Sequence, residues 1–141
     1  MKKAFTMLEL VFVIVVIGIL SAIAIPKFAA TRDDALVSRG KSTLAAVRNS
    51  IATERQKRIL RGDFTAITNL SNGGSGVFTY FNDDKAGNAN AVLEYPPKSC
   101  TNAGCWSGSG TSYVFHVPGG GSCTYTLGNN KLTGTCSVFG E

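Results

Sequence analysis

Glu9 is the residue whose chemistry most needs an explanation, because its carboxylate stands near the start of an unbroken apolar run, Phe5 to Ile25 (FTMLELVFVIVVIGILSAIAI). An acid in such a segment costs about 2.5 to 3.5 kcal/mol at the helix centre and less toward an end, so it calls for a partner. A second chemical resource is the set of four cysteines, Cys100, Cys105, Cys123 and Cys136, all in the last third of the chain among Gly, Ser and Thr. An even number in a small exported-looking domain reads as two disulfides. Zinc competes for the same ligands, but the C-x4-C and C-x12-C spacings match no common zinc ribbon, and the lone His116 supplies no second imidazole. A catalytic dithiol more typically takes the form C-x-x-C, which is absent. Asp83 and Asp84, beside Asn82 and Gly87, are the calcium candidates. Their spacing is not that of the EF-hand loop, so a solvated turn is the preferred reading and no cofactor is expected. His116 has no visible Asp, Ser or Cys partner set in sequence, so no catalytic constellation emerges and an enzyme is not expected.

The element that must position Glu9 is a helix. The run is of membrane-spanning length, at about 20 residues for about 30 Å of hydrocarbon, and a basic leader, Met1-Lys2-Lys3-Ala4, precedes it. Gly18 and Pro26 interrupt it. Glycine lowers helix propensity and proline removes a backbone donor, so both are expected points of bending or local melting, while Pro26 reads equally well as the membrane exit. Farther on, Val37, Gly40, Leu44, Val47 and Ile51 recur at three- and four-residue steps. That spacing makes one narrow apolar stripe able to bury a helix face against a sheet. Arg55, Lys57, Arg58 and Arg61 crowd the last turns, favourably for the helix dipole, and Gly62 is a stop signal. Nine basic and three acidic residues lie between Lys27 and Arg61, against three and five from Gly62 to Glu141. The positive charge is therefore one segment. It follows a membrane-type helix and is broken by Asp33, Asp34 and Glu54, which favours a solvated or subunit-pairing face, and specific nucleic-acid binding is not expected.

The elements that must position the cysteines are strands. Val77 to Phe81 reads as one, between loops at Ser71–Gly76 and Asn82–Asn88, and Tyr113–Val117, Ser122–Leu127 and Lys131–Ser137 read as three more. If Asn129-Asn130 forms a two-residue type I′ turn, which Asn accepts because it tolerates positive φ, opposite positions follow by counting outward. Gly128 then faces Lys131, Leu127 faces Leu132, Tyr125 faces Gly134, and Cys123 faces Cys136. By alternation the last pair is non-hydrogen-bonded, with Cα atoms about 4.5 Å apart, inside the disulfide window of about 4.4 to 6.8 Å. Cys123 is thus paired with Cys136 and, by elimination, Cys100 with Cys105.

The stretch KKAFTMLELVFVIVVIGILSAIAIP resembles the class III signal of type IV pilins and type II secretion pseudopilins: a short basic leader, a cleavage point before Phe, Thr next, Glu as the fifth mature residue, and a long apolar helix with a proline. Ala4 stands where the family usually carries Gly. The resemblance implies cleavage by a prepilin peptidase between Ala4 and Phe5, N-methylation of Phe5, and passage from the inner membrane into a filament. The partners it implies are copies of the chain, other pilins or pseudopilins, the peptidase and an inner-membrane assembly platform. Cleavage would create a positive amine one helical turn from Glu9. A neighbouring subunit's amine would neutralise that carboxylate while fixing the register between two helices, which is the assembly role expected of Glu9. The local alternative is that Thr6-Met7-Leu8-Glu9 forms a capping box.

The expected fold is α+β and pilin-like, a long N-terminal α-helix packed on a small antiparallel β-sheet. Its expected parts are a leader (1–4), a transmembrane or filament-core helix (5–26), an amphipathic second half of that helix (27–62) and a small disulfide-bonded β-rich head (63–141). Lys and Arg counts after the helix oppose a periplasmic C-terminus, but the disulfides demand an oxidising exterior, so a single-pass inner-membrane protein with a periplasmic head is expected. The short head, without a long variable region, makes a pseudopilin of a type II secretion or DNA-uptake machine the expected function; the alternative, which the C-terminal disulfide favours, is a type IV pilus pilin for adhesion or motility. A reading from another class is a secreted disulfide-bonded binding module, released by signal peptidase after Ala24 at the A-x-A site Ala22-Ile23-Ala24.

Overall fold

A computed structural model of the chain describes residues 5–72, 75–82, 87 and 90–141; Ala4, Asp83 and Asp84 lie outside them. One helix, α1, spans Met7–Leu60 and runs through Gly18 and Pro26 without interruption. Thr6 opens it, its Oγ1 accepting the Glu9 N–H at 3.3 Å. The helix closes on Gly62 with φ +74°. The Gly62 N–H bonds the Ile59 carbonyl at 2.9 Å and the Asp63 N–H bonds the Arg58 carbonyl at 2.8 Å. Those two bonds make a Schellman cap, which satisfies carbonyls the helix end would otherwise leave bare.

The chain divides into two compact units, Met1–Asp34 and Ala35–Glu141. The described part of the first is the N-terminal portion of α1. In the second, the rest of α1 packs on a four-stranded antiparallel meander of β1 (Trp106–Ser109), β2 (Ser112–His116), β3 (Ser122–Gly128) and β4 (Lys131–Gly134), in that order across the sheet. Alternation sorts the strands, so Tyr113, Phe115, Cys123, Tyr125, Leu127 and Leu132 face the core. Against them lies the helix row Gly40, Leu44, Val47 and Ile51. The closest approach is at Gly40, where a Cβ would stand 2.5 Å from Phe115 Cε2 and 3.0 Å from Phe139 Cζ.

The β3–β4 hairpin has the expected register, Gly128 with Lys131, Leu127 with Leu132 and Tyr125 with Gly134. Both turn residues take positive φ, Asn129 at 51° and Asn130 at 58°, as a type I′ turn requires. The Asn130 Oδ1 also accepts the Ile67 N–H at 2.7 Å, tying the turn to the chain after α1. Three strand assignments differ from expectation. Trp106–Ser109 is a strand although WSGS carries no run of strand formers; its backbone is recruited by β2, with Trp106 opposite Phe115. Lys131–Ser137 stops at Gly134, and a 3-10 turn at Ser137–Phe139 brings Phe139 into the core. Val77–Phe81 forms no strand: one isolated bridge, Gly76–Lys98, precedes it and another, Tyr80–Ala91, falls within it. Phe78 takes φ 61° there, which turns its ring inward to within 4.9 Å of Tyr113 and 5.3 Å of Trp106. Burial of consecutive side chains has overridden period-two pleating.

Candidate functional site

From Phe5 to Phe28 the chain exposes nearly every large apolar side chain, with Phe12 and Ile23 each 68% exposed and Phe28 74%. Its apolar window is long and apolar enough to cross a membrane, and none of it is buried within the chain. A surface of this kind marks a membrane or protein contact, since monomers rarely leave such large apolar patches in water. Glu9 sits in the first turn of that surface. Thr6 supplies one half of the capping box by accepting the Glu9 amide, and among the described residues no hydrogen bond or ion pair reaches the Glu9 carboxylate. Phe5 lies exposed just ahead of the helix. Gly18 has open space around the position of a Cβ.

In the head, Cys123 is joined to Cys136 with Cα atoms 5.3 Å apart, and Cys100 to Cys105 at 5.7 Å. The first bridge ties β3 to the residue two past the end of β4, and the second staples the approach to β1. Among the described residues no group of three potential metal ligands occurs. His116 does have a serine partner, Ser107 Oγ at 2.8 Å from Nε2 across β1 and β2, which corrects the reading from sequence separation alone. The pair is a cross-strand hydrogen bond, and no carboxylate joins it among the described residues.

Two charged clusters fasten the helix to the head. The buried helix row does not end at Ile51 but continues through Glu54 and Arg58, 2% and 0% exposed. Arg58 does not join the solvent-facing charges of the last turns; its Nε donates to Glu54 Oε1 at 3.0 Å and its Nη2 to the Asn82 carbonyl at 2.5 Å. Asn90 Nδ2 reaches both Glu54 oxygens at 3.3 Å, and Arg61 Nη2 stands 3.8 Å from Oε1. The sequence carries a signal for this, because 40, 44, 47, 51, 54 and 58 keep one three-and-four spacing, and Glu followed by Arg four residues later is the favourable ion-pair order on a helix.

The second cluster holds the C-terminal segment. Arg48 forms a two-pronged pair with the Glu141 carboxylate, whose Oε2 also accepts the Tyr125 hydroxyl at 3.2 Å. Lys41 Nζ donates to the Phe139 carbonyl at 2.6 Å. Burial first, and then the Glu141 charge, push Tyr125 up to about 12, which keeps its hydroxyl a donor at ordinary pH. The hydrogen bond from Arg48 holds the Glu141 carboxyl below its usual range. A depressed folded value means that the clamp's stabilisation is fully present above the unfolded carboxyl value, about 4.3, and is lost as pH falls through the folded one. Arg48 keeps 36% and Glu141 30% of its side chain exposed, so solvent screening limits the effect to about 1 kcal/mol. The Tm advantage of the wild-type chain over Glu141→Gln is therefore expected to be steady near neutral pH and to close on acidification, as followed by circular dichroism in detergent.

Compared with curated proteins, the chain is similar to the type IV narrow pilus major component PilA5 of Thermus thermophilus, at 40% identity over 86 residues that make up 60% of this chain and 73% of that protein. No family model matches the chain. No solved structure matches it.

Proposed function

Because the chain belongs to the type IV pilin-like family, we propose that this pilin subunit is stored in the inner membrane by the apolar part of α1 and assembled into a type IV pilus filament. The observation that carries the reading is the uncovered apolar surface from Phe5 to Phe28. It suits lipid before assembly and copies of the same helix afterwards, because both are apolar neighbours. A prepilin peptidase cuts between Ala4 and Phe5, and Phe5 is N-methylated. The mature Phe5 amine of a neighbouring copy then pairs with Glu9, which neutralises two charges within an apolar bundle and fixes the axial register. Gly18 and Pro26 are the points at which the helix yields when it leaves the bilayer. The two disulfides favour a periplasmic head, since that compartment is oxidising.

A pilus is favoured over secretion by the similarity to the Thermus pilus major component and by the disulfide closing the C-terminal hairpin. A pseudopilin of a type II secretion or DNA-uptake machine is the second reading, carried by the small head that follows α1. For either, the test is the fate of the full chain in its host. Wild-type protein is expected in filaments sheared from the cell, and Glu9→Gln is expected to be inserted and cleaved normally yet to reach filaments at roughly a tenth of that level or less, as for loss of a buried charged pair at an interface. Wild-type protein absent from every filament fraction would overturn the subunit reading. Wild-type filament levels with Glu9→Gln would return Glu9 to its capping role alone.

A further inference from the structure

The head carries a groove and a knob that α1 holds on opposite flanks. The groove, about 650 Å³, lies between α1 and the edge strand β4, with Ile51, Ala52 and Leu132 along its apolar wall and Arg48, Arg55 and Lys131 around it. Arg48 is neutralised by Glu141, and its Nε caps the Leu132 carbonyl at 3.2 Å. Arg55 donates to the neutral Thr65 carbonyl at 3.3 Å, and Arg55 and Lys131 give the groove positive charge. The knob is Glu94-Tyr95-Pro96-Pro97. Tyr95 is 86% exposed, more than any other aromatic side chain among the described residues, and Glu94 beside it is exposed as well. Two prolines fix the backbone after the ring, and the Val77 N–H holds the Pro97 carbonyl at 2.8 Å. The backbone that carries the ring is thus presented with little conformational freedom left to lose.

Helix geometry separates the two. At 3.6 residues per turn, Arg48, Ala52 and Arg55 stand roughly 60 to 120° to one side of the buried row through Gly40, while Arg39 and Thr43, which line a cavity with Tyr95, stand roughly 60 to 100° to the other. Knob and groove therefore cannot meet within one head.

We propose that the Tyr95 knob of one copy seats in the groove between α1 and β4 of a second copy, a head-to-head contact that rests on the filament-subunit reading above. The chemistry is complementary: an aromatic face for the Arg55 and Lys131 cations, a Glu94 carboxylate of opposite charge, and an apolar wall for the ring edge. Tyrosine and arginine are the residues that most often dominate such contacts. Because the two patches differ and lie on opposite flanks, the contact is heterologous and repeats from copy to copy, the geometry that builds an open filament in place of a closed dimer.

The full chain in its host tests this. The four native cysteines are already bonded to one another, so Tyr95→Cys combined with Lys131→Cys is expected to give an oxidation-dependent ladder of crosslinked subunits in sheared filaments. Either single substitution leaves its cysteine opposite no second thiol in this contact and is expected to give no ladder. Glu94→Lys and Lys131→Glu are each expected to lower filament yield roughly tenfold, and their combination to restore it, with all variants melting at the wild-type Tm. Wild-type filaments without a ladder, together with charge reversals that leave the yield unchanged, would overturn the interface and leave the subunit reading standing. No wild-type filament at all would overturn that reading and the interface with it.

Discussion

Glu54→Ala is expected to lower the stability of the head by about 3 to 5 kcal/mol, the range for removing one partner of a buried ion pair. The size follows from what is left behind. Arg58 is fully buried and its Nη1 already lacks a partner among the described residues. Without Glu54 at 3.0 Å its charge would keep, among the described residues, the Asn82 carbonyl, and Asn90 would lose its bonds to the Glu54 carboxylate as well. Asn82 and Asn90 both bond to this pair, so the loss reaches those two residues as well as the last turns of α1. Replacing both partners, Glu54→Ala with Arg58→Met, is expected to cost less than the single change, because an apolar substitute for a whole buried pair is often close to neutral. Urea unfolding of the purified protein in detergent gives both values. A loss under about 1 kcal/mol for Glu54→Ala would mean that the pair behaves as an exposed one.

Gly40→Val is the second large effect, and it runs against helix propensity. Glycine within a helix is about 0.5 to 1 kcal/mol worse than alanine, so propensity alone would favour any side chain at Gly40. The sheet forbids it. Even a single Cβ there meets Phe115 Cε2 at 2.5 Å and Cζ at 2.6 Å, and Phe115 is itself wedged against Trp106 and Phe139, with ring centroids 5.2 and 4.9 Å away. Relief requires α1 to lift from β2 or the aromatic cluster to repack, at about 1 to 3 kcal/mol for an overpacked core. Gly40→Ala is expected to fall near the low end of that range, Gly40→Val near or above the top. Phe115→Leu, which makes room, is expected to recover part of the loss in the double variant. Thermal unfolding of the wild type and these variants checks the cycle, and an increase in Tm for Gly40→Ala would show that the contact is slack.

The parts of this fold legible in the sequence are those set by short-range rules. Asn129-Asn130 fixes a hairpin register by turn chemistry, and Val37 through Ile51 fix a helix face by periodicity. The hidden parts depend on neighbours far along the chain. Trp106–Ser109 becomes a strand because β2 offers it an edge, and Val77–Phe81 fails to become one because Phe78 is drawn inward by Trp106 and Tyr113. Glu54 and Arg58 look like solvent-facing charges in a basic helix until the fold buries them and sets Asn82 and Asn90 against them. Of the site residues, Glu9 and Phe5 stand on an apolar surface that the described chain does not cover, which is why a sequence motif identifies them more readily than any contact within the fold.

The central claim, that α1 is retained as the assembly element of a filament subunit, is tested most directly by mass spectrometry of the N-terminus of the chain recovered from sheared cell-surface filaments. The expected outcome is a mature protein that begins at N-methylated Phe5 and is present in those filaments. A chain that begins at Ile25 and is found only in the soluble secreted fraction would contradict the claim.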